Sequence, residues 1–286
     1  MLPRRFLILL VLGLIWSVAA CASAPYTGRR QLLFTSEGSE TNMGYQAFQQ
    51  FKGQYKVSHD PELNAMVTRV GQRIAAAAKR PDYRWEFVVF ENKDANAFCL
   101  PGGKVGIFTG ILKYTKDEAG MATVISHEVA HALARHAGER MSQAMLAQAG
   151  GIGLGAALGG LGATAGQAAM QGYSLGVQLG ILLPYSRTQE YEADRIGLIL
   201  MAKAGYNPDE ALDFWKRMSA KEKGGKLPQF LSTHPTNDNR LQEIQDFLPD
   251  ARKFYTPVQE ARKSPAGPPP AGPAAPASGR WLAPAR

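Results

Sequence analysis

His127-Glu128-Val129-Ala130-His131 sets two imidazoles and a carboxylate at a spacing that suits one metal ion. Residues four apart on a helix share a face, so His127 and His131 can grip the same ion. Glu128 falls one step round, beside the metal, where it can take a proton from bound water. Zinc at a catalytic site takes three protein ligands and keeps a fourth position for water. The third ligand must come from elsewhere, and His136 is a poor choice. Five residues past His131 on a continuous helix, it points away from the pair. A pattern drawing its third histidine from further along the same segment would need glycine at 134 and histidine at 137, and both are alanine. Glu190 and Asp194 fit better. Four apart on an apparent helix, they allow one carboxylate to ligate zinc and the other to accept the free N–H of a zinc-bound histidine. Glu192 falls on another face.

The elements that must position these groups are legible in part. Thr115 and Glu118 read as a capping box, followed by an almost wholly apolar run through Leu133, the pattern of a buried helix. Buried histidines beside a buried glutamate are costly without a metal or other partners. Hydrogen-bonded core histidines and a solvated acidic helix are the plain readings of the two halves, and their combination favours the metal. Trp85–Phe90 and Val105–Thr109 read as strands, with Pro101-Gly102-Gly103 as a turn. If the second is an edge strand beside the histidine helix, an extended polypeptide could pair with it. Helices are expected from Thr35 to Gln50, from Pro61 to about Lys79, from Asn207-Pro208 to about Met218, and from Pro235 to about Phe247.

With Ser186-Arg187 before Glu190-x-x-x-Asp194, and Ser232-Thr233-His234-Pro235 before Arg240, the chain resembles peptidase family M48, the gluzincin-type zinc metalloendopeptidases. The likeness runs from about Gln31 to Leu248 and includes Asn96-Ala97-Phe98 and Val105 to Gly110. It implies one Zn2+ per chain held by His127, His131 and Glu190. Glu128 would be the base and Asp194 would stand behind the ligands. His234 and Arg240 would reach the active site as catalytic groups facing the oxyanion. His234 has an alternative role as a fourth ligand that closes the site. The fold class expected is α+β, a mostly helical gluzincin-type protease domain with a small β-sheet beside the zinc helix.

Arg4 and Arg5 precede an apolar run that ends Val18-Ala19-Ala20-Cys21, which resembles a bacterial lipoprotein signal. The expectation is a signal peptide over 1–20, a lipid-anchor linker over 21–30 with lipidation at Cys21, a metallopeptidase domain over 31–250, and a Pro/Ala-rich tail over 251–286. That places the protein at the bacterial cell envelope, facing the periplasm, at the outer membrane. With Cys21 lipidated, Cys99 has no partner for a disulfide, and it reads as an apolar filler. A net charge of +8 suits anionic lipid headgroups, and no motif for nucleic acid accompanies it. The partners expected are the membrane, through the lipid anchor, and unfolded or misassembled polypeptides. Proteolytic quality control of envelope proteins is the expected task. Residues 141–186 carry no charge and many glycines, and read as buried or membrane-leaning helices around a glycine-rich loop. Two rivals stay open: a membrane-embedded protease whose 141–186 segment crosses the bilayer, and a chaperone or assembly scaffold with a closed zinc site.

Overall fold

The computed structural model describes residues 21–157, 186–220 and 228–257. The chain enters through strands β1 (Cys21–Ser23) and β2 (Arg30–Leu32), an antiparallel pair. Residues 21–30, expected as a linker, lie in this hairpin, which ion pairs from Arg29 fasten to the rest of the domain. Helix α1 (Glu37–Gln54) is capped by Ser36, and α2 (Pro61–Ala78) by Asp60 with proline at the first turn.

Next come β3 (Glu86–Phe90), β4 (Ala97–Leu100) and β5 (Lys104–Phe108), in the spatial order β3-β5-β4. β5 runs parallel to β3 and antiparallel to β4. Of the two positions open to this strand, edge or paired on both sides, it takes the central one, which is why all five of its residues are buried. The edge on the helix side is β4. Phe108 N–H donates to Asn96 O at 3.0 Å. Ladder alternation from that bond engages Phe98 and Leu100 with β5 and turns the backbone groups of Ala97 and Cys99 outward.

A short helix α3 (Leu112–Thr115) precedes α4 (Glu118–Leu133). Thr115 ends α3, its hydroxyl donating to Leu112 O at 3.3 Å, and Asp117 caps α4 by accepting from Gly120 N–H at 2.9 Å. The capping box read at Thr115 is thus displaced by two residues. α5 (His136–Ala157) follows after a sharp break, and residues 158–185 lie outside the described residues. The chain then forms α6 (Arg187–Lys203), α7 (Asp209–Ala220), α8 (Gln229–Thr233) and α9 (Asp238–Arg252). Asn237, not Pro235, caps α9.

α4 packs most extensively on α6, and also on α2 and β4, inside one large apolar core. A smaller aromatic cluster of Phe48, Phe90, Phe98 and Phe108 joins α1 to the sheet. The architecture is α+β and mostly helical, as expected, with its small sheet beside the histidine helix. Among the described residues, no helix is long and apolar enough to cross a membrane. The signal peptide expected over 1–20 and most of the tail fall outside the described residues, as do residues 158–185 of the glycine-rich segment, whose residues up to Ala157 belong to α5.

Candidate metal centre

α4 is apolar on nearly every side and buried from Gly120 to Leu133, so His127, Glu128 and His131 are carried into the interior. α6 meets it closely. A Cβ added at Gly197 would stand 3.2 Å from the His127 backbone, so a glycine lets the two helices approach. Ser186 and Gln189 form a capping box that starts α6 one turn before the site. Glu190 and Asp194 then face α4, while α8 ends at His234 and brings it in from the third side.

Four side chains converge. His127 Nε2 lies 3.1 Å from His131 Nε2 and 3.2 Å from His234 Nδ1. Glu190 Oε1 lies 3.1 Å from His234 Nδ1 and 3.3 Å from His131 Nε2. All four residues are buried, and their donor atoms lie within 4.8 Å of one another. Ligand atoms about 2.05 Å from a tetrahedral zinc stand roughly 3.3 Å apart, so the spacing observed is that of a tetrahedral donor set. Nitrogen and carboxylate oxygen are the donors zinc accepts there. The residues fit the ion.

Charges around the ring are arranged for the same purpose. Arg240, 1% exposed, donates through Nε and Nη2 to Asp194 at 2.7 and 2.8 Å, and pairs through Nη1 with Glu190 Oε2 at 2.6 Å. Its Nη1 also donates to the carbonyls of His234 and Pro235, and its guanidinium lies 3.8 Å from the Trp215 ring. Burial pushes the Glu190 carboxyl up, but Arg240 and the neighbouring histidines outweigh it and hold it well below the usual carboxylate range. Asp194 Oδ1 lies 3.1 Å from His127 Nδ1, close enough to attract charge though not aligned as a hydrogen bond. Burial lowers the His127 pKa, and the Asp194 and Glu190 carboxylates raise it to about 9. His131 is pushed well below its ordinary value, chiefly by burial, and so stays neutral, the form that ligates.

Glu128 is 4% exposed, with Oε1 3.3 Å from His234 Nε2 and without an aligned hydrogen bond among the described residues. Burial, the largest influence, raises its pKa. It borders an apolar cleft walled by Met43, Phe98, Leu100, Met141 and His234, which runs along β4. Cys99 also lines this cleft, and burial pushes its thiol up, away from thiolate character.

Sequence reasoning excludes His136 as a ligand, as the donor set does, but misses its approach to His131. It assumed one continuous helix, whereas α4 stops at Leu133 and Arg135 takes the left-handed conformation, φ 55°. That conformation costs a non-glycine residue about 1–2 kcal/mol. Arg135 is held there by Glu40, at 2.7 and 3.0 Å, and by Thr35 O at 2.8 Å. The chain therefore turns back and sets His136 Nδ1 2.8 Å from His131 Nδ1. Glu192, on the face of α6 away from Glu190, receives His136 Nε2 at 2.9 Å and Arg29 Nε at 2.7 Å. No local signal announces this pair, because their meeting depends on the turn at Arg135.

The profile of peptidase family M48 matches residues 61–248. The chain is 36% identical over 232 residues to mitochondrial metalloendopeptidase OMA1 of Schizosaccharomyces pombe, covering 80% of this chain and 66% of that protein. With the Saccharomyces cerevisiae protein of the same name it shares 33% identity over 251 residues, 81% of this chain and 70% of the relative. The beta-barrel assembly-enhancing protease of Escherichia coli strain K12 is 28% identical over 216 residues, 74% of this chain and 44% of the relative. The chain thus spans about two thirds of the fungal relatives and under half of the bacterial one. These findings correct the location read from the amino terminus. The two fungal mitochondrial relatives match at higher identity and over more of the chain than the Escherichia coli protease, which does not fit a lipid-anchored position in the periplasm at the outer membrane.

Proposed function

The chain belongs to peptidase family M48, and from that premise we propose that it is a zinc-dependent metalloendopeptidase acting on unfolded or misassembled proteins. One observation carries the reading: the tetrahedral spacing of His127, His131, Glu190 and His234, with the unaligned Glu128 carboxylate beside it. His127, His131 and Glu190 would hold the ion. Zinc bound there supplies a water of near-neutral pKa and polarises a peptide carbonyl.

The remaining work falls to this chain's own groups. Glu128 accepts a proton from the attacking water and returns it to the departing amine. Asp194 orients His127 through its Nδ1 edge. Arg240, expected to face the oxyanion, reaches the donor set through Nη2, 3.5 Å from His127 Nε2, but its donors are mostly engaged by two carboxylates and two carbonyls, so we assign it to holding Glu190 and Asp194 in place. The outward backbone of Cys99 and the carbonyl of Ala97, whose N–H donates to Asn96 Oδ1 at 3.0 Å, offer an extended chain a strand partner, and the apolar cleft beside it takes a large apolar side chain. A substrate must be unfolded locally to bind in that way, which supports a role in removing misassembled proteins. The name of the bacterial relative, an assembly-enhancing protease, is in keeping with that role.

A second reading has an observation of its own. His234 Nδ1 stands inside the donor set, as a fourth ligand would, and a closed site suits a scaffold better than a protease. Incubation with an unfolded and a native form of one protein separates the two. The protease reading requires cleavage of the unfolded form, abolished by chelation and restored by zinc. Absence of cleavage by zinc-replete protein would leave the scaffold.

A further inference from the structure

Resting on the metal-centre reading above, we infer that His136 and Glu192 form a second-line relay that fixes the tautomer of His131, with Arg29 of the amino-terminal hairpin locking the relay in place. With His136 neutral, the polarity of the contacts admits one arrangement. An ionised carboxylate only accepts, so His136, whose Nε2 lies 2.9 Å from Glu192 Oε2, carries its proton on Nε2. His136 Nδ1 is then a bare acceptor. It lies 2.8 Å from His131 Nδ1, which must therefore be the N–H that donates to it. That leaves the lone pair of His131 on Nε2, the atom that faces His127 and Glu190. Reverse the His136 tautomer and His131 would carry its proton on Nε2, where no metal could bind.

The anchor of the relay is built with care. Arg29 forks onto Glu139 through both terminal nitrogens at 2.7 Å each, and reaches Glu192 through Nε at 2.7 Å. Gln189 donates to Glu139 at 2.8 Å, and the Thr27 hydroxyl donates to Glu192 Oε1. His136, Glu192 and Glu139 are 0%, 4% and 5% exposed. Four segments thus meet on one line of hydrogen bonds: the hairpin, α5, α6 and the metal-bearing α4. Asp194 lies 3.1 Å from His127 Nδ1, so each histidine of the helix has a neighbour of its own behind the donor set. His136 is a positioning residue here, since it touches neither ion nor substrate.

The test reads zinc affinity by chelator competition and the visible spectrum of the cobalt-substituted protein, alongside a melting curve of each metal-free form. His136→Phe keeps the bulk and removes the acceptor; it is expected to weaken zinc about 10–100-fold and alter the cobalt bands. His136→Gln can accept from His131 and donate to Glu192 at once, and is expected to recover most of that loss. Equal zinc affinity in His136→Phe and wild type would overturn the relay, as would an equal loss in both variants. Should the variants fail to fold, nitrogen-resolved NMR of the zinc-loaded wild type reads the same point. Protons on Nδ1 of His131 and Nε2 of His136 support it, and any other pair overturns it. If the wild type itself binds no zinc, it is the metal-centre reading that fails, and the two failures are told apart.

Discussion

At the scale of single residues, the centre combines groups that water would keep apart. Arg240 neutralises Glu190 and Asp194 inside the core, and removing one member of such a buried network costs about 3–5 kcal/mol. Urea unfolding of Arg240→Met is expected to show a loss of that size, and an unchanged midpoint would show that the carboxylates find other partners. His127 gives a pH dependence with a definite sign. Its pKa in the metal-free protein is raised to about 9, so below that pH zinc must displace a proton. Zinc affinity is expected to climb by roughly tenfold per pH unit between pH 7 and 9 and then level off. Chelator competition across that range checks it, and a flat profile would contradict the raised pKa. His234 can be assigned by kinetics. If its Nδ1 closes the fourth position, His234→Ala is expected to keep zinc and gain cleavage; a loss of about 100-fold would instead give it the oxyanion.

At the scale of elements, the sheet decides how substrate is held. β4 offers its outer edge to the cleft, and methylating alternate backbone amides of a good peptide substrate is expected to raise KM while leaving the unmethylated register unaffected. Equal KM for both registers would rule out strand pairing. The sequence leaves open which strand carries that edge, because periodicity shows that Val105–Phe108 is apolar but not which neighbours pair with it. Helices were read more closely: Asp60-Pro61 and the apolar run through Leu133 carry local signals that owe nothing to the rest of the chain. Breaks were harder. Lys116 and Arg135 adopt positive φ without glycine, and Arg135 is held there by a tertiary contact, the Glu40 pair, so no local rule announces it. The ligand residues were legible because a helical spacing of four fixes geometry from sequence alone. His136 and Glu192 were not, because their meeting depends on the turn at Arg135.

At the scale of the whole molecule, the amino-terminal hairpin is part of the machinery. Glu192 is held ionised to about pH 2 despite its burial, by His136, Thr27 and Arg29, against about 4.3 for an unfolded glutamate. A depressed pKa stabilises the fold fully above the unfolded value and progressively less as pH falls toward the folded one. The stability gap between wild type and Glu192→Gln is therefore expected to be widest above pH 5 and to narrow toward pH 2, as read by urea unfolding of the metal-free proteins. A gap that widens in acid would contradict the direction of the shift. Family membership, donor spacing and the cleft all converge on hydrolysis at one ion, and Glu128 is where they can be tested together. The direct measurement is zinc content and cleavage of an unfolded protein for wild type beside Glu128→Gln. One zinc per chain in both, with cleavage reduced at least 100-fold in the variant, is the result expected. Undiminished cleavage by Glu128→Gln, with zinc still bound, would contradict the account.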